Sequence, residues 1–239
     1  MDKQAAGLIG HGCLHCPAFE LAICRTAVGA RVRAHIEQTV HTAAARRMVF
    51  RYRDLQDRVP VICDGWASRD IRIPGGGRMI MSFFLPGELM GDTALVEPPQ
   101  DGFVEAITDV QYRSFARSAF WDVLVGCTGA LKIVLRNWVE DKRWSDRLIV
   151  DLGRRSAEIR DTRLITRLVE RLKARELVKP DAQELAFPLR HHHMADATGL
   201  SPEHVTKVLS ELRRRNILAV SERTLSIFDP VALNRIAGD

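Results

Sequence analysis

Three of the chain's five cysteines crowd into Gly-Cys13-Leu-His15-Cys16-Pro-Ala-Phe-Glu-Leu-Ala-Ile-Cys24. Two residues between Cys13 and Cys16 let both sulfurs reach one metal centre, and a longer loop brings in Cys24. An odd cysteine count with this crowding does not fit a secreted disulfide framework. In a reducing compartment such a cluster binds metal or carries thiol redox chemistry. His11 and His15 lie in the same stretch, so a zinc site of three cysteines and a histidine is a second donor set. Cys63, in Val61-Ile62-Cys63-Asp64-Gly65, stands at the end of an expected strand. Cys127 follows Phe120-Trp121 near the start of an expected long helix. Either can approach the N-terminal loop as a fourth ligand, and for each the plain alternative is a small buried residue.

A second constellation lies near the C-terminus, in RHHHMADATGLSPEHVTKVLSELRRRNIL. Two helices joined by a tight turn need a small residue where they cross, a glycine in the turn and an apolar anchor in the second helix. Ala195, Gly199 and Val205 fall at those offsets. Ser201 is placed to cap the second helix, Pro202 fits its first position, and Glu203 sits at its positive end. Val205, Val208, Leu209 and Leu212 form its buried face, which leaves Glu203, His204, Thr206 and Lys207 exposed. In a helix-turn-helix such residues meet base edges in the major groove. Arg213, the first of three consecutive arginines, is placed either for phosphates or as part of a solvated helix end. Ile217–Val220, a turn at Ser221-Glu222 and Leu225–Phe228 read as a two-stranded wing. Three consecutive histidines, His191 to His193, point about 100° apart on a helix and cannot all face one ion; they are expected on the surface.

These residues need elements to position them. Residues 28–45 read as a short helix. From Met48 to Tyr112, short apolar runs alternate with Asp-Gly, Pro-Gly and Pro-Pro turns, the pattern of a β sandwich or barrel. Beyond Arg117 the period becomes helical. GALKIVLRNWVEDKRWSDRLIVDLG puts Leu131, Val134, Leu135, Trp138, Leu148, Ile149 and Leu152 near one face, with Gly153 as its stop. So long an amphipathic helix predicts a homodimer; the alternative is that its stripe packs on the chain's own β domain, and both can hold along different parts. SAEIRDTRLITRLVERL is a further helix. The fold class expected is α+β.

Composition bounds the function. The chain is 46% hydrophobic and 27% charged, as soluble globular proteins are, and carries a net charge of +5. Residues 154–239 hold 16 Lys and Arg against 12 Asp and Glu, which suggests a polyanionic partner for the C-terminal third. No apolar run is long enough for a membrane helix and no signal pattern opens the chain, so a cytoplasmic protein is expected. No Gly-rich phosphate loop, nucleophile elbow or helical pair of metal-binding histidines supports an enzyme.

A β-rich domain, a long helix and a winged helix-turn-helix, in that order, resemble the Crp/Fnr family of bacterial transcription regulators. The most specific matches are Phe84-Leu-Pro-Gly-Glu-Leu-Met-Gly91, Leu152-Gly-Arg-Arg-Ser-Ala-Glu158 and the helix-turn-helix. The resemblance implies a double-stranded β-roll (residues 28–127) after a cysteine segment (1–27), a dimerisation helix (128–153) and a winged DNA-binding domain (154–239). It implies a homodimer on palindromic promoter DNA, with RNA polymerase a candidate partner. Cyclic-nucleotide binders of the family carry Gly-Glu-Leu and an Arg-Ser pair for the cyclic phosphate. Here the corresponding stretches read Gly91-Asp92-Thr93 and Pro99-Gln100-Asp101, and Asp101 would repel a phosphate, so cyclic AMP is not the expected ligand. Fnr-type oxygen sensors hold a 4Fe-4S cluster on N-terminal cysteines, and Cys13-x2-Cys16-x7-Cys24 is similar to their spacing. Thiolates are soft ligands suited to such clusters. The family's fourth cysteine would align near Tyr112, where there is none, so Cys63 is the expected fourth ligand and Cys127 the alternative. A regulator of the same fold sensing a small ligand, nitric oxide or haem in the β domain, its cysteines silent, is the competing reading. In the Fnr branch the recognition helix carries Glu, then Ser-Arg. The matching residues here are Glu203, Thr206 and Lys207, with Ser201 and His204 beside them.

Overall fold

The computed structural model describes residues 38–55, 57–90, 95, 101–126 and 128–238. Cys13, Cys16, Cys24 and Cys127 lie outside them, as do His11 and His15. The chain forms two compact units. One contains the described residues up to Ile71 together with Ser82–Asp141. The other contains Arg72–Met81 together with Lys142 and the described residues beyond it.

The β-rich part of the chain consists of antiparallel strands β1 (Gln38–Ala43), β2 (Met48–Arg51), β3 (Arg58–Asp64), β4 (Ala67–Arg72), β5 (Arg78–Phe84), β6 (Phe103–Ala106) and β7 (Val110–Ala116), with the last residue of β4 and the first four of β5 counted in the second unit. They form a three-stranded sheet in the order β1-β7-β3 and a four-stranded sheet in the order β2-β6-β4-β5. β3 is buried on both faces. Val59 and Val61 enter one core with Phe115, Phe120 and Leu124, while Ile62, pointing the other way, enters a second with Tyr52, Phe84, Met90 and Val104. Gly65, in the turn between β3 and β4, has a φ of +84°, and a β-carbon there would strike the Asp109 carbonyl.

The helix expected over residues 28–45 is corrected for its described part. Gln38–Ala43 is a strand paired in register with β7, Gln38 opposite Phe115 and Ala43 opposite Val110. Burial alternates residue by residue, with Thr39, His41 and Ala43 half-buried and Val40 and Thr42 exposed, the period of a sheet edge. Three of the six residues are β-branched, which favours an extended backbone, and the His41 ring stacks on Tyr112 at 4.7 Å.

Helix α1 (Arg117–Gly126) leads to α2 (Thr128–Arg154), 27 residues long, or about 40 Å. Gly153 does not end α2. It is helical, and the chain leaves the helix after Arg154. Val134, and Trp138 more peripherally, pack on the core of Val59 and Phe120, whereas Leu135, Val139, Ile149 and Val150 are exposed.

In the second unit Ser156 caps α3 (Ala157–Ala174), its hydroxyl accepting from the Ile159 N–H. Then come β8 (Glu184–Ala186), α4 (His191–Thr198), α5 (Pro202–Arg214), β9 (Leu218–Ser221), β10 (Thr224–Ile227) and α6 (Pro230–Ala237), with the sheet in the order β8-β10-β9. A buried ion triad holds the end of α2 to α3. Asp151 lies 3.2 Å from Arg163 and 2.8 Å from Arg167. Arg163 also donates to the Ala237 carbonyl at the end of α6, and Arg167 and Arg171 lie over the Trp144 ring. Among the described residues no helix is long and apolar enough to cross a membrane.

Candidate nucleic-acid interface

The interface is assembled from α4, α5 and the turn between them. Gly199 ends α4 in the left-handed conformation (φ +65°), its N–H bonded to Ala195, as C-cap geometry asks of glycine. Two residues later Ser201 starts α5, its Oγ accepting from the His204 N–H at 3.3 Å. Val205, Leu209 and Leu212 are buried and Val208 half-buried, the face expected. Ala195 is buried at the crossing of the two helices.

That packing turns the other face outward. Glu203, His204, Thr206, Lys207 and Arg213 are exposed, and Ser201 is half-buried at the cap. The Ser201 hydroxyl, then Glu203's own backbone N–H and the neighbouring His204 and Lys207 side chains, hold the Glu203 carboxyl below its usual range, so it meets any partner as an anion. Of the arginine run, Arg214 is forked onto Glu211 at 2.7 and 2.9 Å and Arg215 pairs with Glu158. Arg213 has no carboxylate partner among the described residues, which leaves it the available cation of the three.

The wing is a hairpin of β9 and β10, Ser221 facing Thr224. Its turn lies on Glu222 and Arg223, with φ of 49° and 65°, one residue beyond the expected place. Positive φ at both central residues matches the strand twist. Arg223 is exposed at the tip, a cation that the reading of the sequence passed over although its position between two short apolar runs marked it.

The histidine run is corrected. His192 is exposed and His191 half-buried, but His193 is buried. Its Nδ1 accepts from the Arg190 N–H at 3.1 Å, satisfying an otherwise unpaired donor at the start of α4. Burial, reinforced by the charges of His192, Arg78 and Arg190, lowers its pKa to about 3. Beneath α4, Asp161 of α3 is buried and accepts from Thr198 Oγ1 at 3.1 Å. Its other oxygen has no hydrogen-bond partner, and burial raises the carboxyl to about 6. Asp196, on the half-buried side of α4, pairs with Arg78 at 2.7 Å.

Of the expected metal ligands, the structure describes Cys63. It is half-buried near the end of β3, its Sγ 3.7 Å from the Val61 carbonyl oxygen. No group of three or more His, Cys, Asp or Glu side chains that could hold a metal ion occurs among the described residues; the other cysteines of the expected set lie outside them.

A capped helix presenting polar residues from its first turn, behind a glycine turn and beside a β hairpin, defines a winged helix-turn-helix DNA-binding protein. The model of the Crp-like helix-turn-helix domain matches residues 162–236. The nitrogen fixation regulation protein FixK of Bradyrhizobium diazoefficiens is 25% identical over 95% of this chain and 94% of its own length. The transcriptional activator protein FnrL of Cereibacter sphaeroides is 26% identical over the whole of this chain and 97% of its own. The solved structure of FixK2 from Bradyrhizobium japonicum covers 84% of this chain and 97% of its own with a TM-score of 0.71 at 22% identity. Residues 162–236 thus match a Crp-like helix-turn-helix DNA-binding domain, and over nearly its whole length the chain is similar to transcription regulators of the Crp/Fnr type.

Proposed function

We propose that this regulator acts as a homodimer on a palindromic promoter site and is controlled by oxygen or redox state through a 4Fe-4S cluster on Cys13, Cys16, Cys24 and Cys63. The observation that carries the DNA half of this reading is the exposed first turn of α5. Glu203 accepts from a cytosine amino group, Lys207 donates to guanine, Thr206 reads its base beside them, and Ser201, His204 and Arg213 flank them. Residues 28–127 then form the sensing domain, 128–153 the dimer helix and 154–239 the DNA-binding domain. The cytoplasm, where DNA and reduced thiols coexist, is its place of work.

The cysteine spacing supports the redox half. A half-buried thiol such as Cys63 is the kind of fourth donor that a segment from elsewhere in the chain can reach, with Cys127 the alternative. A cluster so held supplies chemistry that oxygen destroys. The chain's own contribution is four soft donors that must be deprotonated to bind.

Two experiments test the proposal. Protein purified without oxygen is expected to absorb broadly near ~400 nm, where thiolate-to-iron charge transfer falls, to contain iron and acid-labile sulfide, and to bleach in air. Cys63→Ala and Cys127→Ala then identify the fourth ligand. Colourless protein with neither element after reconstitution overturns the cluster and moves sensing to the β domain, to a small ligand, nitric oxide or haem. On selected DNA, Glu203→Ala is expected to relax preference at one base pair and leave non-specific affinity nearly intact. An equal loss on every sequence would show that Glu203 does not read bases.

A further inference from the structure

Thr206 stands in the exposed first turns of α5, yet its hydroxyl is engaged within the protein. Oγ1 lies 2.8 Å from the Pro202 carbonyl oxygen, one helical turn back, and 2.9 Å from Nδ1 of His191. A carbonyl oxygen only accepts, so the hydroxyl proton belongs to Pro202. The single assignment that satisfies both contacts makes His191 Nδ1–H the donor to Thr206 Oγ1. The hydroxyl is therefore held from two sides, and with Oγ1 fixed the chirality of threonine fixes Cγ2 as well. The methyl is the part of the side chain left to meet a partner.

His191 is itself well placed for this. It is the first residue of α4, and that end of the helix is anchored by the buried His193 through the Arg190 N–H. The bond from His191 to Thr206 thus runs from a fixed point on one helix of the motif to the exposed face of the other.

We infer that His191 is a positioning residue for sequence specificity: it ties back the Thr206 hydroxyl, so that Thr206 meets DNA through its methyl group and selects a thymine by that base's 5-methyl. This rests on the reading of α5 as the base-reading helix.

The test uses the full-length protein and its selected palindrome, with each thymine replaced in turn by deoxyuridine, which lacks only the methyl. Wild type is expected to lose about fourfold in affinity at one thymine per half-site and little at the others, since shielding one methyl is worth ~0.8 kcal/mol. His191→Ala and Thr206→Ser are expected to abolish that difference at that position. His191→Asn, whose amide nitrogen replaces Nδ1 as donor, and Thr206→Val, which keeps a methyl, are expected to retain it. The inference is overturned if His191→Ala keeps the full thymine preference, or if it weakens all duplexes alike, which would make His191 a phosphate contact. It also falls if no thymine methyl matters to wild type while Glu203→Ala still relaxes another position; the reading of α5 then stands. If wild type prefers no sequence at all, the reading of α5 fails first.

Discussion

Two buried ionisable side chains under α4 respond to acid in opposite directions. His193 is neutral in the folded protein, with a pKa of about 3, while the unfolded chain takes up that proton near 6.5. Its stability contribution is complete above 6.5 and is lost as the pH falls through that window, by at most ~1.4 kcal/mol per pH unit. Asp161 protonates near 6 when folded and near 3.8 when unfolded, so its burial destabilises the fold at neutral pH and is relieved as the pH falls from 6 to 3.8. Over the shared window the two slopes oppose each other. Asp161→Asn removes one of them. The variant is expected to unfold at a higher temperature than wild type at pH 7, and to lose stability more steeply between pH 6 and pH 4. Parallel melting profiles for the two proteins would show that Asp161 does not titrate there. None of this was visible in three consecutive histidines. Their spacing tells how they diverge around a helix; which of them turns inward depends on α4 burying Met194, Ala195, Ala197 and Thr198 beside His193, a matter of tertiary contact. The exposed face of α5 was legible because capping chemistry and an amphipathic period are local.

Among elements, α2 carries the clearest unsatisfied pattern. The sequence allows its apolar stripe to serve the chain's own β domain in one part and face outward in another, and the structure shows such a division. Val134 and Trp138 serve the chain's own core. Leu135, Val139, Lys142, Asp146, Ile149 and Gly153 follow each other at alternating intervals of four and three residues, the seam of a coiled coil, and Leu135, Val139 and Ile149 are exposed. Ile149→Glu is expected to yield monomers in light scattering and to weaken binding to a palindrome far more than to a half-site. Lys142 and Asp146, paired with each other inside the seam, are polar residues of the kind that fix register at some cost in stability; leucine at both is expected to raise the melting temperature of the dimer. The turn before α5 makes a separate prediction. Gly199→Ala forces a β-carbon into left-handed backbone, costing about 1–2 kcal/mol, and its contact at 2.9 Å is with the tip of Leu152. Calorimetry on the full chain checks it. β1 shows where local pattern failed. Its alanine-rich flank looks helical, and the β7 strand that makes it extended lies far along the chain, so no window of neighbouring residues contains the answer.

For the whole molecule, the informative feature is where one compact unit gives way to the next. The change falls after Asp141, inside the unbroken α2. Beyond it the Asp151 triad fastens the end of the helix to α3. Asp151→Ala would remove the carboxylate that lies against two buried guanidinium groups and is expected to destabilise the second unit by about 3–5 kcal/mol, read as a lowered melting transition. A continuous helix keeps count of its own seam positions. One residue inserted after Asp141 turns every later seam position by about 100°, whereas seven bring them back to within ~20°. Binding to the palindrome is therefore expected to vanish with the single insertion and return with the sevenfold one, so that tolerance to added length in this protein has a period.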